Sequence, residues 1–380
     1  MIPRAIFEET LLQFFAPVRP YLDDPSVSEI MINGPDQIYV EREGVLERVS
    51  ARFANREALM AALRNLSQYV GKPIDENHLI LEGRFPDGSR VQAVLPPVAP
   101  DGPHVSIRRF FKETLTVERL VELGALTGIA AASLQALVLA KLNIVVSGGT
   151  GSGKTSMLNA LSGFVPDSER VVVIEDSREV QFHKQHVLHL EARGPDPKGK
   201  GAVTIRDLFR ATLRMRADRV VVGEVRGGEA LDIVQAMTSG HGGCMVTLHA
   251  THPRDALARL ETMCMMSEVD MPLAAMRQQI GSGVQLVVQL QRLQDGSRKV
   301  TQITEVLGYE PAHQRYRFQE IFARKFLGFD DNGRILSEFL PTGILPACMP
   351  QLQEHGVSLP DPVLEMARSK NEGSRPNGRP

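Results

Sequence analysis

Residues 144–155 read IVVSGGTGSGKT, a short apolar run that passes into Gly148-Gly149-Thr150-Gly151-Ser152-Gly153-Lys154-Thr155. The octet fits the phosphate-loop pattern GxxxxGK[ST] with no substitution. Each residue type has its own physical task. Glycines let the backbone wrap an anion with its N–H groups pointing inward, the lysine brings a charge to the β/γ oxygens, and the threonine hydroxyl can ligate Mg²⁺. Leu142 to Val146 reads as a buried strand and Ser156 to Leu161 continues with helical spacing, which is the setting the loop requires. The stretch therefore predicts a site for ATP and Mg²⁺ built on Gly148 to Ser156.

Composition frames this reading. The chain has 380 residues, enough for two or three domains, and its 43% hydrophobic and 23% charged content is that of ordinary globular protein. A net charge of −2 provides no overall pull toward nucleic acid or an anionic membrane, and no nucleic-acid partner is expected. With no Trp, 5 Tyr and 15 Phe, an aromatic base-stacking platform is not expected to dominate either. Cys244, Cys264 and Cys348 form no CxxC pair, which suits a reducing compartment without a disulfide framework. The longest charge-free stretch, Leu123 to Ala140, is interrupted by Gly124, Thr127, Gly128, Ser133 and Gln135. It reads as a turn and a buried helix, not a transmembrane segment.

Upstream of the loop, EIMI and QIYV are separated by Asn33-Gly34-Pro35-Asp36, a strand meander. Arg56 to Val70 has apolar residues at helical spacing and stops before Gly71 and Pro73. The strand-like RVQAVLPPV and HVSIRRF follow, so residues 1–112 predict a smaller α+β N-terminal domain, joined by a connector over 113–128. Within residues 129–366 the pattern changes. LNIVV, VVVIE, VVVGE and CMVTLH alternate with helical segments, the signature of an α/β domain whose parallel sheet is covered on both faces. VQLVVQLQRL and KVTQITEVLG flank the hairpin signal Gln294-Asp295-Gly296-Ser297; Ile321 to Leu364 is less readable. Residues 367–380, poor in apolar side chains, read as a disordered tail.

Hydrolysis needs metal ligands, a positioned water and cations. Glu224, at the end of VVVGE, is the candidate to polarise water, directly or through the metal shell. Glu175, at the end of VVVIE, is the candidate to support Mg²⁺ or water, with Asp176 and Glu179 beside it. His241 and His249 flank an apolar strand on which Thr247 and His249 share a face. A neutral imidazole there could sense a terminal phosphate. His183, His186 and His189 are spaced by three, which suits metal binding on a helix, yet FHKQHVLHL reads as extended. Arg90, Arg108, Arg214, Arg216 and Arg226 could each neutralise phosphate, and their spacing does not choose among them.

Taken together, GGTGSGKT, IEDSREV, LRMRADRVVVGEVRGGEALDIVQAM and TSGHGGCMVTLHATHPRDALARLETM resemble the type II/type IV secretion and pilus ATPase superfamily. The likeness is strongest to CpaF-type ATPases of the tight-adherence (Tad) pilus, and covers roughly Leu22 to Gly356. It implies a RecA-like ATPase core behind a sensor-like N-terminal domain, assembled as a homohexamer with nucleotide between the domains and near a neighbouring subunit. It also implies inner-membrane platform proteins as partners and a cytoplasmic, peripheral location. By the same resemblance Glu175, Asp176 and Glu179 match the aspartate box, Glu224 the Walker B acid, His241 and His249 the histidine box, and Arg90 and Arg108 the nucleotide-facing arginines. Ala217 replaces the usual proline of MRPDR, and Ser239, Gly242, Cys244 and Thr251 also depart from the family pattern, without removing a catalytic group. Three functions remain as expectations: a hydrolytic motor, a DNA-translocating ATPase, and a nucleotide-gated scaffold with little turnover.

Overall fold

The computed structural model describes residues 4–42, 44–110, 115–196 and 199–373. The chain divides into two compact units, Met1–Glu113 and Thr114–Pro380.

In the first unit, α1 (Arg4–Phe14) and α2 (Arg19–Asp23) precede the meander β1 (Val27–Asn33), β2 (Ile38–Arg42) and β3 (Val45–Val49). Then come α3 (Arg56–Val70), β4 (Ile80–Arg84), β5 (Arg90–Val94) and β6 (His104–Arg108). The strands form one antiparallel sheet in the order β3-β2-β1-β6-β5-β4. Helix α3 begins where the Asn55 side chain accepts from Ala58 N at 2.8 Å, and it ends at Gly71, whose φ of 75° suits glycine. Its apolar stripe, Leu59, Leu63 and Leu66, is fully buried with Phe15, Ile30 and Ile107. Each such side chain contributes roughly 1.5–3 kcal/mol by leaving water.

The second unit opens with α4 (Val117–Glu122) and α5 (Gly128–Leu139). Within the span expected as a connector, 113–128, the described residues Leu120, Ala125 and Leu126 are buried in this unit's core. An alternating series follows: β7 (Ile144–Gly148), α6 (Lys154–Ser162), β8 (Val171–Glu175), β9 (Val187–Glu191), α7 (Ile205–Thr212), β10 (Arg219–Val222), α8 (Glu229–Thr238) and β11 (Met245–Leu248). Next are α9 (Pro253–Met265), α10 (Leu273–Gly283), β12 (Leu286–Arg292), β13 (Arg298–Glu310), β14 (Arg315–Phe329), β15 (Ile335–Pro341), α11 (Met349–Glu354) and α12 (Asp361–Gly373).

One nine-stranded sheet runs β15-β14-β13-β12-β7-β11-β10-β8-β9. Strands β12, β7, β11, β10, β8 and β9 are mutually parallel, while β13 to β15 extend the sheet antiparallel beyond β12. Alternation along the strands supplies two cores. Ile144, Val146 and Val173 face α5 and α6 side chains such as Leu134 and Leu158, whereas Val145, Val172 and Val222 face Phe209, Leu231 and Leu257. Burial on both faces is why these strands read as unbroken apolar runs.

The tail expected from residue 367 starts too early. Helix α12 continues to Gly373, with Val363 and Ala367 buried one turn apart and the Lys370 ammonium donating to Thr342 O at 3.0 Å. Two small contacts on one helix face suffice where composition showed nothing to bury. Residues 374–380 lie outside the described residues.

Candidate functional site

The parallel sheet brings the ends of β7, β11, β10 and β8 to one edge, so sequence-distant residues converge there. The loop leaves β7 and enters α6 through Gly151 (φ 68°) and Gly153 (φ 94°), conformations that favour glycine. A side chain on Gly148 would stand 2.3 Å from Ser152 Oγ and 2.8 Å from Leu290 O, so the loop closes tightly on itself. Helix α6 has nine residues and no side-chain cap at Gly153. Its first N–H groups have no intrahelical acceptor and carry the positive end of the helix dipole.

Lys154 is 9% exposed and donates to Gly148 O (3.2 Å) and Gly149 O (3.1 Å). Its Nζ also lies 3.3 Å from His249 Nδ1 and 3.4 Å from His249 Nε2, and Nε2 lies 2.7 Å from Glu224 Oε1. With Nε2–H donating to the carboxylate, Nδ1 is the ring's acceptor, on the side the ammonium can reach. Burial, then the Lys154 charge, hold the His249 pKa below the ordinary range against the opposing pull of Glu224. The ring is neutral, and Lys154, His249 and Glu224 form one hydrogen-bonded chain across the loop.

Glu224 follows β10, two strands from β7. Its other oxygen accepts from Arg226, whose guanidinium also lies 3.7 Å from Asp176. Thr247 Oγ1 donates to Gly223 O at 2.5 Å and Val225 N donates to Thr247 O at 2.9 Å, which ties the acid's backbone to β11.

Glu175 ends β8, one strand further out, and is 4% exposed. Its Oε1 accepts from Glu179 N and Val180 N, both at 2.9 Å, so that oxygen is committed to the loop after β8. Its side chain packs on Gly223, where a Cβ would stand 2.7 Å from Glu175 Cγ. Burial raises its pKa to about 7 against the two amide hydrogen bonds.

The structure does not gather His241 with this group within the chain. It lies in the turn between α8 and β11, at the amino end of the strand whose carboxyl end carries His249. Its Nδ1 is buried without a hydrogen-bond partner. Arg214 and Arg216 likewise sit in the turn between α7 and β10, at that opposite edge. Arg90 and Arg108 are register partners on β5 and β6 of the first unit, and Arg108 lies 3.9 Å from Glu29. His189 is on β9 and His183 and His186 precede it in irregular chain; no group of three or more potential metal ligands occurs among the described residues.

Two residues at the loop escaped the sequence reading. Arg298 Nε donates to Gly151 O at 2.8 Å, and Arg292 Nη1 stands 3.6 Å from the position of a Cβ on Gly151. The signal was the pair of arginines bracketing the 294–297 hairpin, but only the sheet order places that hairpin beside β7.

The residues present fit a nucleoside triphosphate and Mg²⁺: a glycine cradle, an uncapped helix start, a buried ammonium held by uncharged acceptors, and the Thr155 hydroxyl opening α6. Fold and site define a P-loop protein with an antiparallel sheet extension. The family model for "Type II/IV secretion system protein" matches residues 12–324, and the chain belongs to that family. It is 32% identical to the conjugal transfer protein TrbB of Rhizobium radiobacter over 77% of this chain and 87% of that one. It is 33% identical to the type IV secretion system protein PtlH of Bordetella pertussis, over 75% of this chain and 92% of that one. The ATPase DotB of Legionella pneumophila has a similar fold (TM-score 0.55, 16% identity, 81% of this chain and 82% of that one). No helix among the described residues is long and apolar enough to cross a membrane.

Proposed function

We propose that the chain is a Mg²⁺-dependent ATPase that works as a homohexameric motor at the cytoplasmic face of the inner membrane. It drives platform proteins of a Tad-type pilus or a related secretion machine. The observation that carries this reading is the hydrogen-bonded chain from Lys154 through His249 to Glu224 above the phosphate loop.

Lys154 and the loop amides would hold the phosphates, and Thr155 and Glu224 would hold the metal, directly or through water. Mg²⁺ supplies charge neutralisation on the β and γ oxygens. Phosphate oxygens are stronger acceptors than the loop carbonyls that Lys154 now meets, so binding draws the ammonium outward and frees His249 Nδ1. His249 thereby reports an occupied terminal-phosphate position to Glu224, which polarises the attacking water. Arg226 orients Glu224 by donating to its second oxygen, while Glu175 supports the Gly223 backbone behind it.

Lys154→Ala is expected to abolish nucleotide binding, and Glu224→Gln to leave binding intact while lowering turnover at least a hundredfold. Brisk hydrolysis by Glu224→Gln would remove Glu224 from this role. In cells deleted for the chain, surface filaments return with the wild type and not with Lys154→Ala. Filaments unaffected by deletion, with macromolecular transfer lost, would assign the motor to a secretion machine instead.

A further inference from the structure

Loop carbonyls must point away from an anion for the phosphate loop to work, and three of them are held here, two by the lysine that phosphate would draw away. Gly148 O and Gly149 O accept from Lys154, and Gly149 O also accepts from Ser152 Oγ at 2.8 Å. Gly151 O, at the apex, accepts from Arg298 Nε at 2.8 Å. Gly151 has φ of 68° and lies next but one to Gly153 at φ 94°, so the loop turns here on backbone conformations that favour glycine. A peptide flip there would turn a carbonyl oxygen into the cradle and oppose phosphate binding.

Arg298 does not come from the loop's own neighbourhood in sequence. It opens β13 and is the register partner of Arg292, the last residue of β12. Strand β12 lies beside β7, with Leu290 paired to Gly148, which carries both arginines to the loop apex. Both lie against one glycine of the predicted phosphate site. They also stand across β7 from the side occupied by β11 and His249.

We propose that Arg298 is a positioning residue that locks the phosphate loop in its anion-binding conformation through Gly151 O, and that Arg292 adds a cation for the bound polyphosphate. This rests on the nucleotide-binding reading above. It also gives the antiparallel extension a direct mechanical tie to the site, because Arg298 begins the strand that carries β14 and β15.

The test is calorimetric titration of Mg·ADP and of Mg·pyrophosphate into the wild type, Arg298→Ala, Arg298→Lys and Arg292→Ala, with KM and kcat for ATP measured in parallel. Arg298→Ala is expected to weaken both ligands about tenfold. Its loss falls on KM rather than kcat, and Arg298→Lys recovers most of it because an ammonium can also donate to Gly151 O. Arg292→Ala weakens pyrophosphate and ADP alike. Unchanged affinity in Arg298→Ala beside a wild type that binds would overturn the proposal alone. So would a lowered melting temperature with no recovery by lysine. A wild type that binds neither ligand would overturn both this proposal and the nucleotide-binding reading.

Discussion

Glu175 shows how one buried carboxyl can brace the backbone beside a candidate site. Its oxygen holds two amides of the following loop and its methylenes press on Gly223, the residue before Glu224. Burial raises its pKa from 4.5 to about 7, so the fold favours the protonated form. The contribution is therefore fully present below the unfolded-state value and lost as pH rises through about 7. Over that window it amounts to a few kcal/mol, at about 1.4 kcal/mol per unit. Glu175→Gln keeps an oxygen for both amides and cannot ionise, so its melting temperature is expected to vary less between about pH 5 and pH 8, an interval that brackets the raised pKa, than the wild type's. Equal pH dependence in the two proteins would show that Glu175 does not titrate in this interval. His249 is set the opposite way: burial and Lys154 keep it neutral, ready to pass a hydrogen bond rather than a charge.

At the scale of elements, the contact between β8 and the end of β10 is the tightest support for the acid. A methyl group on Gly223 would stand 2.7 Å from Glu175 Cγ and 3.0 Å from its Oε1. Gly223→Ala is expected to lower stability by about 1–3 kcal/mol, read as the denaturation midpoint. Shortening residue 175 in the same chain should restore part of that loss, because the clash is pairwise; no restoration would place the strain elsewhere. These elements were legible to different degrees. Strands β7, β8, β10 and β11 announced themselves as apolar runs because both their faces are buried, and α3 matched Arg56–Val70 because its caps, Asn55 and Gly71, carry sequence signals. Lys154, Glu224 and His249 were legible as strand-end chemistry. Their mutual contact was not, because pairing order is set by crossovers that leave no local mark. Arg292 and Arg298 were hidden for the same reason. His241 looked equivalent to His249 in sequence, yet a strand of four residues puts them at opposite edges. Helix α12 was missed because its buried face amounts to Val363 and Ala367.

The whole molecule joins two compact units, of which the second holds the phosphate loop, the acid and the histidine on one sheet. Membership in the secretion family agrees with that architecture, and under the motor proposed above the assembled ring is the working form. A site completed by a neighbouring copy makes activity per chain rise with protein concentration, until the ring is saturated. The most direct test is Mg²⁺-dependent ATP hydrolysis over a protein concentration series, with Glu224→Gln measured alongside for both turnover and nucleotide binding. The account predicts activity per chain that climbs with concentration, and a variant that binds but does not turn over. Absence of hydrolysis at every concentration, or hydrolysis that survives in Glu224→Gln, would contradict it.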